Sequence, residues 1–180
     1  MRSSHRGLGY VINSYALSDT SLIVHLFLQQ QGIIKVVAKG AKSPKSPFAG
    51  TLDLFNQVEL LYLEARGSSD LHTLSELQVQ HRPAGLRASY HRLLLASYYS
   101  ALLEYWMDAQ TDNGETYALF TRALSYADSG ELRWRGVAYY EEELSALLGY
   151  SKRPEEVYKL HQASPKLAKL REQLSQQLRP

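Results

Sequence analysis

Residues 22–39 read LIVHLFLQQQGIIKVVAK, and their period decides the fold of the first half of the chain. Leu22, Val24, Leu26 and Leu28 alternate with Ile23, His25 and Phe27, as expected of a strand with one face in a core. Ile34, Val36 and Ala38 alternate in the same way with Lys35, Val37 and Lys39. A three-residue loop of Gln30, Gln31 and Gly32 would join the two runs, with Gly32 at the left-handed position of a bulged hairpin. That register sets Leu28 opposite Ile34, Leu26 opposite Val36 and Val24 opposite Ala38 on an apolar face. The opposite face sets Phe27 beside Lys35 and Ile23 beside Lys39. A slip of one residue would bury lysines, so the two faces are firmly specified.

Working outward, an earlier strand is expected near residues 8–15, and two later ones near 54–63 and 71–79, joined by the turn EARGSSD. Five short strands at this spacing suggest a small barrel. A five-stranded OB barrel fits; an SH3-like barrel fits nearly as well on strand count alone. After His81-Arg82-Pro83 the period becomes helical. Leu86, Tyr90, Leu93, Leu94, Tyr98, Ala101, Leu102 and Tyr105 form one stripe. TDNGE offers a helix start, followed by Ala118, Leu119, Ala123 and Leu124. A third helix is expected from about Glu131 to Gly149. The stretch around Pro154 reads as helix-free. Ser164 and Pro165 then supply an N-cap and a first helical position for a last helix, with Leu167, Leu170, Leu174 and Leu178 as its stripe. The expected class is α+β, an all-β half at 1–80 followed by an all-α half at 81–180.

With 180 residues the chain is long enough for one large domain or two small ones. It contains no cysteine, which excludes a disulfide framework and any thiolate zinc site. The N-terminal residues carry no apolar core of signal-peptide length, and no apolar run is long enough to span a bilayer. A soluble, cytoplasmic protein with no membrane partner is expected. The net charge of +2 is uninformative, but its distribution is uneven: no acid lies between Asp19 and Asp53.

No enzyme motif is present. The six histidines show no metal-ligand spacing, and the chain lacks HExxH, GxSxG, Walker A and GxGxxG patterns. Glu141, Glu142 and Glu143 point in three directions on a helix and read as a solvated face. No catalytic residue, metal, cofactor or small-molecule substrate is expected.

The basic stretch is more informative. Lys35 and Lys39 share the outer strand face, and Lys42 and Lys45 follow in a loop that Gly40, Pro44 and Pro47 keep out of helix or central strand. Lysines on a barrel face beside an aromatic ring such as Phe27 suit single-stranded nucleic acid: cations hold the backbone and the ring stacks a base. A solvated basic loop with an incidental phenylalanine fits the same pattern. Most of the thirteen tyrosines sit at helical spacing among leucines and read as core with the hydroxyl at the rim. Arg122, Arg133 and Arg135 lie among acids, suiting either surface ion pairs or a pocket for an acidic peptide.

The order of residues adds a resemblance. The run SDTSLIVHLFLQQQGIIKVVAKGAKSPKS, with its Val37-Ala38-Lys39-Gly40-Ala41 block and Leu54-Phe55 beyond, resembles the N-terminal domain of the RecO family of bacterial recombination mediators. ARGSSDLHTLSELQ resembles the family's last barrel hairpin. Tyr140-Glu141 with Leu147-Leu148-Gly149-Tyr150 is similar to its F-E…L-G-Y helix. The resemblance implies an OB-fold and a helical domain without catalysis. It implies binding of single- and double-stranded DNA, strand annealing, and loading of recombinase onto DNA coated with single-stranded-DNA-binding protein (SSB). The implied protein partners are RecR and the acidic SSB tail. Carried over by position, Lys35, Lys39, Lys42 and Lys45 would contact DNA, with Arg6 and Arg66 as neighbours. The family's four-cysteine zinc module has no counterpart, which reads as a form shortened at the C-terminus. The arginine often found before the F-E pair is replaced by Ala138 and Tyr139. Tail docking would then be lost, or would fall to Arg133 and Arg135 or to Lys166, Lys169 and Arg171 of the basic C-terminal helix. The alternative is an OB-fold protein-interaction scaffold with weak or lost DNA binding.

Overall fold

The computed structural model describes residues 3–67, 69–107, 113–150, 153–162 and 164–179. The chain divides into two units, Met1–Arg82 and Pro83–Pro180. The first is a five-stranded barrel of β1 (Ser4–Ala16), β2 (Leu22–Leu28), β3 (Gly32–Ala38), β4 (Gln57–Leu63) and β5 (Leu71–His81). The sheet closes in the order β1-β2-β3-β5-β4. β3 and β5 run parallel and the other pairs antiparallel. This is the OB-fold arrangement rather than the SH3-like one.

The hairpin closes differently from the simple reading. Gln29 joins the loop because its N–H donates to the Leu8 carbonyl of β1 at 2.9 Å. Leu28 therefore faces Gly32, Leu26 faces Ile34 and Val24 faces Val36. Gly32 does take the left-handed conformation, at φ 71°. The displacement is two residues, so every side chain keeps its face. Val24, Leu26, Leu28, Ile34, Val36 and Ala38 line the interior with Val11, Val58, Leu60 and Leu74. What changes is the outer face, where His25 now lies opposite Lys35, and Phe27 opposite Ile33.

β1 pairs with β2 through its C-terminal part and with β4 through its N-terminal part, and Gly9 belongs to both pairings. A Cβ at Gly9 would stand 2.1 Å from the Phe27 carbonyl oxygen. Gly9→Ala should force the two strands apart and destabilise the barrel by about 1–3 kcal/mol, read as a lower urea midpoint.

The second unit packs α1 (Ala84–Ala88), α2 (Tyr90–Trp106), α3 (Asn113–Ser129), α4 (Trp134–Leu147), α5 (Pro154–Gln162) and α6 (Pro165–Gln177). The stripe expected as one helix from Leu86 is broken at Ser89, which is extended. The helix start expected at TDNGE begins on Thr111 and Asp112, which lie outside the described residues. The stretch around Pro154, read as helix-free, is instead the helix α5, with Pro154 at its first position. The Ser164 cap is as expected: its hydroxyl accepts from Leu167 N–H. Tyr98, Tyr99 and Tyr140 are fully buried rather than rim residues, and each hydroxyl has a partner. Among the described residues no helix is long and apolar enough to cross a membrane.

Candidate nucleic-acid interface and helical pocket

The lysine-bearing connection is built into the barrel at both ends. It leaves β3 at Ala38, in the core, and is anchored further on by Phe48 and Leu52, which also reach the core. Between these anchors short turns carry the chain outward: Ser43 N–H donates to Gly40 O, Ser46 N–H to Ser43 O and Ala49 N–H to Ser46 O. Gly40 has a φ of 66°, a left-handed turn position. The connection is also tied to the β1–β2 turn. Lys42 donates through its backbone N–H to Thr20 O at 3.0 Å. Its ammonium donates to Ser18 O at 3.0 Å. Lys39, Lys42 and Lys45 are thus exposed on a braced loop.

Lys35 has a different situation. Its ammonium holds the Asp70 carboxylate at 2.7 Å. That hydrogen bond and the lysine charge keep Asp70 below the usual carboxylate range. Much of the Lys35 charge is therefore compensated. Arg66 is exposed in the β4–β5 connection that also carries Asp70. Arg6 sits at the other end of β1, 3.8 Å from Glu59. Ten residues of strand, up to about 33 Å, separate it from Ala16, so the lysine loop and Arg6 are not brought together.

Phe27 has to be corrected. It has 0% exposure, because this end of β2 is buried on both faces. A ring without exposed surface stacks no base, and its register neighbour is Ile33 rather than Lys35. The aromatic residues on that outer face that do reach solvent are Tyr15 and His25.

On the helical unit, Arg122, Arg133 and Arg135 come together around a pocket of about 710 Å³ walled by Tyr99, Tyr126 and Tyr139. The floor is braced: the Tyr126 hydroxyl donates to Glu131 O at 2.7 Å and accepts from Arg133 N–H at 2.8 Å. Gly130 and Gly136 lie against the Tyr126 ring, leaving no space for a side chain at either. Arg133 also pairs with Glu131 at 2.6 Å. Lys166 and Lys169 are elsewhere, exposed on α6. Arg171 is engaged by Glu141 at 2.9 and 3.1 Å and lies over the Trp134 ring, so much of its charge is compensated.

Glu141 was read as part of a solvated face and is 3% exposed. It accepts from Tyr98 and Arg171, and His161 Nε2 stands 3.6 Å away. Burial alone would raise its pKa. The His161 ring, the Arg171 guanidinium and the Tyr98 hydroxyl outweigh that and hold it below the usual glutamate value. The same burial, with the carboxylate beside it, pushes the Tyr98 hydroxyl far up, so it stays a donor. Among the described residues no group of three or more histidine, aspartate or glutamate side chains is placed to hold a metal. With no cysteine in the sequence, the residues do not fit a thiolate zinc module.

Residues 1–82 match the family model described as recombination protein O, N-terminal. The chain belongs to the RecO family. It is 31% identical over 139 residues to the DNA repair protein RecO of Idiomarina loihiensis, covering 77% of this chain and 58% of that one. It is 32% identical over 142 residues to that of Nitrosospira multiformis, covering 79% and 57%. With the RecO protein of Syntrophus aciditrophicus it shares 27% identity over 150 residues, 83% of this chain and 58% of the relative. The chain thus spans less than two thirds of the length of these RecO relatives. All three matches extend past the barrel into the helical unit, since each is longer than the 82 residues of the family match.

Proposed function

We propose that this chain is a non-enzymatic DNA repair and recombination mediator that holds single- and double-stranded DNA against its barrel, with Lys39, Lys42 and Lys45 as the main phosphate contacts. The observation that carries the reading is the braced loop, which presents three lysines in a 33-residue stretch, 20–52, without an acid. A loop anchored by Phe48 and Leu52 and tied to the β1–β2 turn loses little freedom when it binds, so more of the electrostatic gain appears as affinity. Lys35 contributes less, because Asp70 already engages it. Repulsion between complementary strands falls when both lie on one basic surface, which accounts for annealing. Loading of recombinase, work with RecR, and action at the nucleoid of a bacterial cytoplasm follow from the family reading.

The helical pocket is the proposed dock for the acidic SSB tail. Three arginines around aromatic walls suit a peptide with carboxylates and an apolar end, and the α6 cations take no part. Reversing charge at Arg133 and Arg135 together is expected to weaken binding of a labelled acidic tail peptide at least tenfold, while DNA binding is retained. Unchanged peptide affinity would remove the pocket from the model.

The test of the DNA reading is fluorescence anisotropy of labelled single-stranded DNA across salt concentrations. Binding at low salt that weakens steadily as salt rises is expected. No binding at low salt would leave the arginine pocket as the main interaction site and favour a protein-interaction scaffold.

A further inference from the structure

We infer that Tyr15, supported by His25, is a base-stacking platform for single-stranded nucleic acid beside the lysine loop. The inference rests on the DNA-binding reading above and adds to it the element that distinguishes a single strand from a duplex.

Tyr15 lies near the end of β1, opposite Ile23 of β2. Val24 and Leu26 point into the core, so Ile23, His25 and Tyr15 share the outer face. Tyr15 is 46% exposed, a large value for an aromatic ring in a strand. It is nonetheless held: its ring meets His25 edge-on at 5.4 Å and 78°, and its hydroxyl is 3.4 Å from His25 Nε2. A fixed ring with an open surface loses little entropy when a flat partner stacks on it. Every base offers such a face once it is unpaired, whereas duplex bases are covered by their neighbours.

The surroundings are those of a nucleic-acid strand. His25 lies directly opposite Lys35. Beyond Tyr15 the β1–β2 turn exposes Leu17 at 49%, and Lys42 is bonded to that turn at Ser18 and Thr20. Gly40 N–H reaches Ser21 Oγ at 3.4 Å, fixing the start of the lysine loop against the same turn. An open aromatic ring and three phosphate-binding cations therefore occupy one end of the barrel, and three hydrogen bonds between the loop and the turn fix their spacing.

The test uses the full chain and compares an oligothymidylate with an abasic oligomer of the same length, by anisotropy. Tyr15→Ala is expected to weaken oligothymidylate binding about fivefold to a hundredfold without changing the salt slope, and Tyr15→Phe to retain affinity. Abasic and duplex affinities should be the same for wild type and Tyr15→Ala. Wild type alone should prefer the base-bearing strand over the abasic one, a comparison that does not depend on the variant folding. Equal wild-type affinity for the two strands, or an unchanged Tyr15→Ala variant, overturns the platform and leaves lysine-dependent binding standing. If the wild type binds neither strand at low salt, the platform falls together with the reading it rests on.

Discussion

Replacing Lys39, Lys42 and Lys45 together by alanine is expected to lower single-strand affinity about a hundredfold at 0.1 M salt and to flatten the salt slope by about 2. Each phosphate neutralised on a single strand contributes about 0.7 to that slope, and three such contacts give about 2. The same exponent applied to one decade of salt dilution gives the hundredfold loss. All three side chains are exposed, and Lys42 donates only to a neutral carbonyl, so the variant removes charge without opening the core. Lys35→Ala should have a smaller effect than any one of them averaged over the triple, because Asp70 shares its charge. Asp70→Asn is the complementary control: with the carboxylate neutralised, binding should tighten a few-fold at low salt and the gain should vanish at high salt. A triple variant with the wild-type slope would show that the phosphates lie elsewhere, and an Asp70→Asn variant that binds more weakly would show that the ion pair shapes the site.

The barrel was legible because its evidence has period two. Shifting the hairpin by two residues moved every pair yet left Val24, Leu26, Ile34 and Val36 inside, since parity is all that facing requires. The exposure of outward residues was not legible in that way. Phe27 and His25 occupy equivalent outward positions in the alternation, yet one is buried and the other open to solvent. Which of them is covered depends on contacts distant in sequence, and no local pattern encodes those. The tie of Gln29 to Leu8, which set the register, is also non-local. Pairing of Lys35 with Asp70 spans 35 residues and depends on β3 running parallel to β5, which a strand count does not reveal. α5 was hidden differently. Its nine residues carry only a short apolar stripe, with Val157 and His161 as buried positions four residues apart. Histidine is not counted in a hydrophobic pattern, so the helix left little period to find. Glu141 did leave a signal. Val137, Glu141, Leu144 and Leu148 follow helical spacing, and the first three are buried. An acid inside an inward stripe calls for a buried cation elsewhere, and Arg171 supplies it from α6.

That buried carboxylate carries the largest stability effect expected in the helical unit. Glu141→Ala should destabilise it by about 3–5 kcal/mol, the usual cost of removing one partner from a buried charged network. Three groups lose a partner at once: Arg171, the Tyr98 hydroxyl and His161, which comes from α5. Arg171 keeps its place over Trp134 and has some access to water, which argues for the lower part of the range. Glu141→Gln should cost less, because an amide oxygen still accepts from Tyr98. Both tryptophans of the chain, Trp106 and Trp134, lie in this unit, so their fluorescence during urea unfolding reports it without interference from the barrel. The pH dependence gives a second readout. The folded-state pKa of Glu141 is depressed, so below about pH 4.5 the unfolded chain takes up this proton before the folded one does. The stability from this site is therefore complete above that pH and is lost as pH falls through the folded value. Glu141→Ala should remove that part of the acid limb. A loss under about 1 kcal/mol, or an acid limb identical to wild type, would mean that packing of α4 against α2, α3 and α5 holds the unit together without the charged network.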